Sequence, residues 1–131
     1  MNRKELMLDD LVQICNETAK VVEVSSIVAV EFTNGGYDVF EEKDVIPIDI
    51  TNETLKNFGF YGEGYLYYDI DEHTYLEYYP HEHRLRKIYK GIDEWQNHSE
   101  VKDIVFQSTC RYLHEFQHDL LRCGIKKKVI L

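Results

Sequence analysis

Between Asp10 and Ile48 the chain is cut into short apolar runs by turn residues, a spacing that leaves room for strands and little else. Asp10–Cys15 reads as a first short strand, followed by a turn at Asn16-Glu17-Thr18. Lys20–Val24 alternates apolar and polar residues at period two, the mark of a half-buried strand. Ile27–Phe32 puts Val28, Val30 and Phe32 on one face and Ile27, Ala29 and Glu31 on the other. Asn34-Gly35-Gly36 then gives a strong hairpin signal, because these residues adopt positive φ at low cost. Tyr37–Phe40 is the returning strand, and Val45–Ile48 closes the series. Several short strands joined by tight turns predict a small β-barrel of the SH3 type.

Pro47 ends this β region, since it has no N–H to give a ladder. Thr51 can cap a helix whose apolar side holds Leu55 and Phe58, with Gly59 as its C-terminal stop. After a Gly62-Glu63-Gly64 loop come Tyr65–Asp71, a turn at residues 71–74, and Tyr75–Tyr79, a tyrosine-rich hairpin ended by Pro80. Leu85–Tyr89 predicts a third strand, Gly91–Glu100 a polar loop, and Lys102–Phe106 a further strand. From about Ser108 the pattern is helical, with Tyr112, Leu113, Phe116, Leu120 and Cys123 on one arc and Arg111, Glu115, His118 and Arg122 opposite. Gly124 stops this helix, and the Ile125–Leu131 tail reads as an edge strand guarded by its lysines. The expectation is an α+β chain: an SH3-like barrel over residues 1–48, then over 49–131 a linker helix, a small antiparallel sheet and a C-terminal helix, the two parts able to share one core.

The segment from Pro47 to Phe60, Pro-Ile-Asp-Ile-Thr-Asn-Glu-Thr-Leu-Lys-Asn-Phe-Gly-Phe, is distinctive. It resembles the P-I-x-L-T-x-E-x-L-x-x-F-G-F signature of a family of small phage and mobile-element proteins. In that family a short barrel precedes the signature, and a hairpin and a terminal helix with a V-H-x-L-Q-N-like stretch follow it. Leu113–His118 is similar to that stretch, with His118 at the amide position and Gly124 near the place of the closing glycine. The resemblance spans residues 10–124. It implies an accessory protein of phage or mobile-element setting, an architecture, and no catalytic residues.

Charge narrows the partners. Residues 1–80 carry 5 Lys/Arg against 17 Asp/Glu, a net of −12, and residues 81–131 carry 10 against 7, a net of +3. An acidic majority disfavours sequence-independent binding to nucleic acid, which depends on counterions released from phosphates. It suits a basic protein partner. The start of the chain lacks the apolar run of a signal peptide, and Val21–Val30, the most apolar stretch, is too short to span a bilayer. Three cysteines, Cys15, Cys110 and Cys123, with no C-x-x-C spacing fit a reducing compartment, so a cytoplasmic protein is expected.

One enzyme-like motif is present: His114-Glu115-Phe116-Gln117-His118. Histidines at i and i+4 on a helix share a face, as zinc requires, and the glutamate could act as general base, which makes a zinc hydrolase the enzymatic alternative. A third ligand is missing: Asp119 and Cys123 lie on the same helix, and Arg111 and Arg122 flank His118 with positive charge. The expectation is a solvated His/Glu/Arg face with Arg111 paired to Glu115, no metal and no cofactor. His81-Glu82-His83, with His73 near them, has no fourth partner at recognisable spacing, and Cys110 reads as a buried thiol. Arg84, Arg86, Lys87 and Lys90, beside Tyr89, form a small basic strand that makes a direct RNA contact conceivable.

The tyrosines point elsewhere. Seven of them fall within the nineteen residues Tyr61–Tyr79. Alternation places Leu66, Tyr68 and Ile70 towards a core and Tyr65, Tyr67, Asp69 and Asp71 on the other face, with Glu77 near them. Tyrosine among acids is the composition of rigid interface anchors. Tyr65, Tyr67, Asp69, Asp71 and Glu77 are therefore the candidate partner-binding residues of a non-enzymatic acidic protein. The partner expected is a host protein or nucleoprotein, in the sharpest form a defence complex such as a CRISPR effector. A structural or assembly component is the remaining alternative.

Overall fold

A computed structural model of the chain describes residues 5–25, 27–93 and 99–129. The fold is α+β: two four-stranded antiparallel sheets and two helices. The chain divides into two compact units, Met1–Asp49 with Tyr112–His118, and Ile50–Arg111 with Asp119–Leu131.

The first unit is built on β1 (Leu11–Ile14), β2 (Glu17–Val24), β3 (Val28–Phe32) and β4 (Tyr37–Phe40), ordered β1-β2-β3-β4. Period-two alternation sends Val12, Ile14, Ala19, Val21, Val28 and Val30 to one face, and each is at most 1% exposed. Leu6 and Val45 join that cluster, and Val24, Phe32 and Phe40 pack on its margin. Burying a side chain of this size contributes about 1.5–3 kcal/mol, so this face is what holds the unit together. Cys15 and Asn16 turn the chain from β1 to β2 at positive φ, and the Asn34–Gly36 turn is fixed by the Asn34 side chain accepting from the Gly36 N–H at 2.9 Å.

The expected barrel is not closed; the sheet is an open meander. Val45–Ile48, predicted as its last strand, is reduced to one bridge in which Gln13 and Ile46 exchange N–H···O bonds of 2.8 and 2.9 Å. Pro47 follows at once and has no N–H with which to extend a ladder.

In the second unit, α1 (Asn52–Phe58) begins where the Thr51 hydroxyl accepts from the Thr54 N–H at 3.1 Å. It ends at Gly59, whose φ of +128° lets its N–H reach the carbonyls of Leu55 and Lys56. The sheet runs β5 (Leu66–Asp69), β6 (Thr74–Tyr79), β7 (Arg84–Asp93) and β8 (Ser99–Thr109), in that order. Leu66, Tyr78 and Leu85 are register partners across three strands and all are buried. The Tyr78 hydroxyl donates to the Cys110 carbonyl at 2.9 Å, which satisfies its one polar atom in the core. Phe58, Phe60 and Tyr68 form an aromatic triangle with ring centroids 5.1–6.0 Å apart.

Three predicted boundaries move. β7 continues through Gly91 and Ile92 to Asp93 and β8 begins at Ser99, so most of the polar loop expected over Gly91–Glu100 is strand; its middle, 94–98, lies outside the described residues. A ten-residue pairing between β7 and β8 overrides the local polarity there. β8 also takes up Ser108 and Thr109, so the C-terminal helix, α2, spans Leu113–Arg122 and leaves Arg111 outside it. The tail forms no strand among the described residues 125–129.

Candidate functional site

The tyrosine hairpin owes its shape to its turn. The Asp71 carboxylate accepts from the N–H groups of His73 and Thr74 at 2.8 and 2.9 Å, and these bonds hold its carboxyl below the usual carboxylate range. The register that follows sets Tyr67 opposite Glu77 and Asp69 opposite Tyr75. Tyr61 is brought alongside by a bridge to Tyr67, the two exchanging N–H···O bonds of 2.9 and 2.8 Å.

Three phenol rings thus stand in a row, Tyr61 to Tyr67 at 6.1 Å and Tyr67 to Tyr75 at 6.3 Å between centroids. The Tyr61 hydroxyl donates to both oxygens of Asp69 at 3.1 and 3.2 Å; partial desolvation and that carboxylate hold its pKa above the ordinary 10. The rings, with Asp69, Asp71, Glu72, Glu77, Lys90 and Lys102, line an open depression of about 450 Å³. Lys90 and Lys102 face each other as register partners on β7 and β8. Four carboxylates against two ammonium groups leave the depression negative at neutral pH.

Of the five residues singled out in the sequence, Tyr67, Asp69, Asp71 and Glu77 line this depression. Tyr65 does not: it packs edge-on against Tyr79 at 4.5 Å. Tyr79 donates its hydroxyl to Glu77, and its phenol is pushed up to about 12, by burial first and by that carboxylate second. Tyr75 was within reach of the sequence, because period two from Glu77 puts it on the same face. Tyr61 was not, since a two-glycine loop separates it from β5.

The other constellations are taken up locally. Arg84 pairs with Glu82 at 3.2 Å, Arg86 lies over the Tyr79 ring at 5.2 Å, and Lys87 donates to the Cys123 carbonyl at 3.2 Å. Three of the four cations of the basic strand are thus engaged locally. His81 and His83 sit in the turn before β7, and the His73 ring lies tilted at 41° beside Tyr89, centroids 6.0 Å apart. Cys110 is fully buried.

The His-Glu-x-x-His helix departs most from expectation. His114 is only 3% exposed and His118 is largely buried, so their face is not solvated. Asp10, 2% exposed and 108 residues away in the chain, receives the His118 Nε2 at 2.8 and 2.9 Å. The same carboxylate accepts from the Met7 N–H at 2.8 Å. Gln117 adds two bonds, accepting from the Leu11 N–H at 2.8 Å and donating to the Asp9 carbonyl at 2.9 Å. The Glu115 carboxylate accepts from the Tyr112 N–H at 3.0 Å, the return half of a capping box. Motif residues therefore clasp residues 7–11 to the helix. Among the described residues no group of three or more His, Cys, Asp or Glu is placed to hold a metal ion. Burial raises the carboxyl pKa of Asp10, against the lowering effect of its bonds to Met7 and His118, and burial lowers that of His114, whose Nδ1 has no hydrogen-bond partner.

Compared with protein families, curated proteins and solved structures, the chain matches none. Among the described residues no helix is long and apolar enough to cross a membrane.

Proposed function

We propose that this chain is a non-enzymatic, acidic protein-binding protein that engages a basic segment of a partner through the tyrosine-lined depression of its second unit. The observation that carries the reading is the convergence of Tyr61, Tyr67 and Tyr75 with Asp69, Asp71, Glu72 and Glu77 around one concave surface. Tyrosine supplies large contact area at low entropic cost, and an excess of four carboxylates over two lysines steers a cationic partner. The His-Glu-x-x-His residues fit a structural clasp better than hydrolysis, because Glu115 and His118 already serve the helix start and Asp10.

The resemblance of residues 47–60 to the phage and mobile-element signature supplies the setting, with an SH3-like reading of the first meander. In that setting the partner is a host protein or nucleoprotein, and interference with a defence complex is the sharpest form. Residues 1–80, at net −12, favour the basic surface such a complex presents to nucleic acid. The test is affinity capture of host proteins by the intact chain and by Asp69→Lys/Glu72→Lys, with salt raised stepwise. A partner held by the native chain, lost in the variant and released by salt supports the reading; equal capture by both removes the depression from it.

A further inference from the structure

β4 lies at the edge of the first unit's sheet, and its backbone shows which of its peptide groups face outward. Among the described residues no strand pairs with it on the side away from β3. The Val39 N–H donates to the Asp38 carboxylate at 2.8 Å instead of to β3. In an antiparallel ladder the N–H and C=O of one residue point to the same side, and successive residues alternate. Tyr37 and Val39 therefore both direct their peptide groups to the open edge. Their side chains are uncovered as well, Tyr37 at 70% and Val39 at 53% exposed. Beside them Ile27, Val39 and Phe40 line an open groove of about 440 Å³ together with Glu41, Lys43 and Asp44.

We propose that β4 receives an extended, cationic segment of a partner protein as a fifth strand of this sheet. Main-chain bonds to the outward groups of Tyr37 and Val39 supply the pairing, and the groove takes an apolar side chain of the segment. The incoming carbonyl takes over the Val39 N–H and frees the Asp38 carboxylate, which then meets a basic residue across the new pair. Charge selects the occupant. Residues 37–44 carry four carboxylates, Asp38, Glu41, Glu42 and Asp44, against the ammonium of Lys43, which itself lies 3.3 Å from Glu41. A second copy of the chain fits poorly, because pairing β4 with β4 would bring two such acidic strands together, and like charges facing across strands destabilise the pair. The segment that fits alternates apolar and basic residues and has no proline where it pairs. This surface belongs to the first unit and stands independently of the tyrosine depression, whose residues lie in the second.

The experiment is titration of the full chain with three capped peptides, followed by amide resonances and amide hydrogen exchange. One alternates lysine with valine, one alternates glutamate with valine, and one is the lysine peptide with two adjacent central amides N-methylated, which removes a donor from either edge. The lysine peptide is expected to shift the Tyr37, Asp38 and Val39 amides and to slow exchange at Tyr37 and Val39, with the other two about tenfold weaker or inert. Val39→Pro removes an edge-facing donor at a position where an edge strand tolerates proline, so it should keep the native melting curve and lose the peptide. Asp38→Lys should lose it too, and Asp69→Lys, in the tyrosine depression, should leave these β4 shifts unchanged. Equal binding of the glutamate or N-methylated peptide, or shifts that map away from β4, overturns the proposal. A dimer of the native chain in sedimentation that Val39→Pro dissolves also overturns it, since the edge then serves a second copy.

Discussion

Replacing Asp10 tests whether the His-Glu-x-x-His helix is built for structure. Asp10→Ala removes the acceptor of the Met7 N–H and of the His118 ring from a site that is 2% exposed. Breaking a buried pair costs about 3–5 kcal/mol because the remaining partner is left unpaired. The His118 side chain is 16% exposed, so water relieves part of this, and a loss of about 2–4 kcal/mol is expected. At roughly 4 °C per kcal/mol for a chain of this size, that is a fall of about 8–16 °C in Tm, read by circular dichroism. Asp10→Asn keeps the shape and an acceptor oxygen. Because burial disfavours the ionised carboxyl, this neutral substitution should cost under ~1 kcal/mol. An Asp10→Ala shift below about 2 °C, the size of an exposed ion pair, would refute the clasp.

Acidification supplies a second test. His114 has a folded pKa below its ordinary 6.5, so its contribution is present above that value and lost as pH falls through it; Tm should drop between pH 7.5 and 5.5, and His114→Gln should flatten the slope. Asp10, raised above 3.8, acts in the opposite sense, losing stability as pH rises through its own window, and Asp10→Asn should remove that opposing term from the acid limb. Ultraviolet titration should find Tyr79 ionising near 12, and Glu77→Gln should bring it down towards 10. Gly62→Ala should cost about 2–3 kcal/mol in a urea melt, since a Cβ there sits 2.6 Å from the Tyr65 carbonyl oxygen at a φ of +118°.

What was legible in the sequence is what local chemistry dictates. Thr51 and Gly59 bound α1 because a hydroxyl cap and a positive-φ stop act within one turn of the chain. Asn34-Gly35-Gly36 fixes a hairpin on the same principle, and period two sorted Tyr67 and Asp69 from Leu66 and Tyr68. What was hidden depends on partners far away in sequence. Helical spacing set His118 among charged residues, yet Asp10 makes that side of the helix a buried contact. The polar residues after Gly91 concealed a strand whose existence rests on its pairing with β8. The depression itself was half visible: alternation finds the β5 residues and, from Glu77, also Tyr75, but Tyr61 enters through a bridge to Tyr67 that a linear reading does not contain.

The tyrosine depression is proposed to bind a cationic segment of a partner. This is tested by the affinity of a short capped cationic peptide for the native chain and for Asp69→Lys, at low and at raised salt. Saturable binding that weakens with salt and is lost in Asp69→Lys is expected; binding unchanged by the substitution would overturn the proposed site.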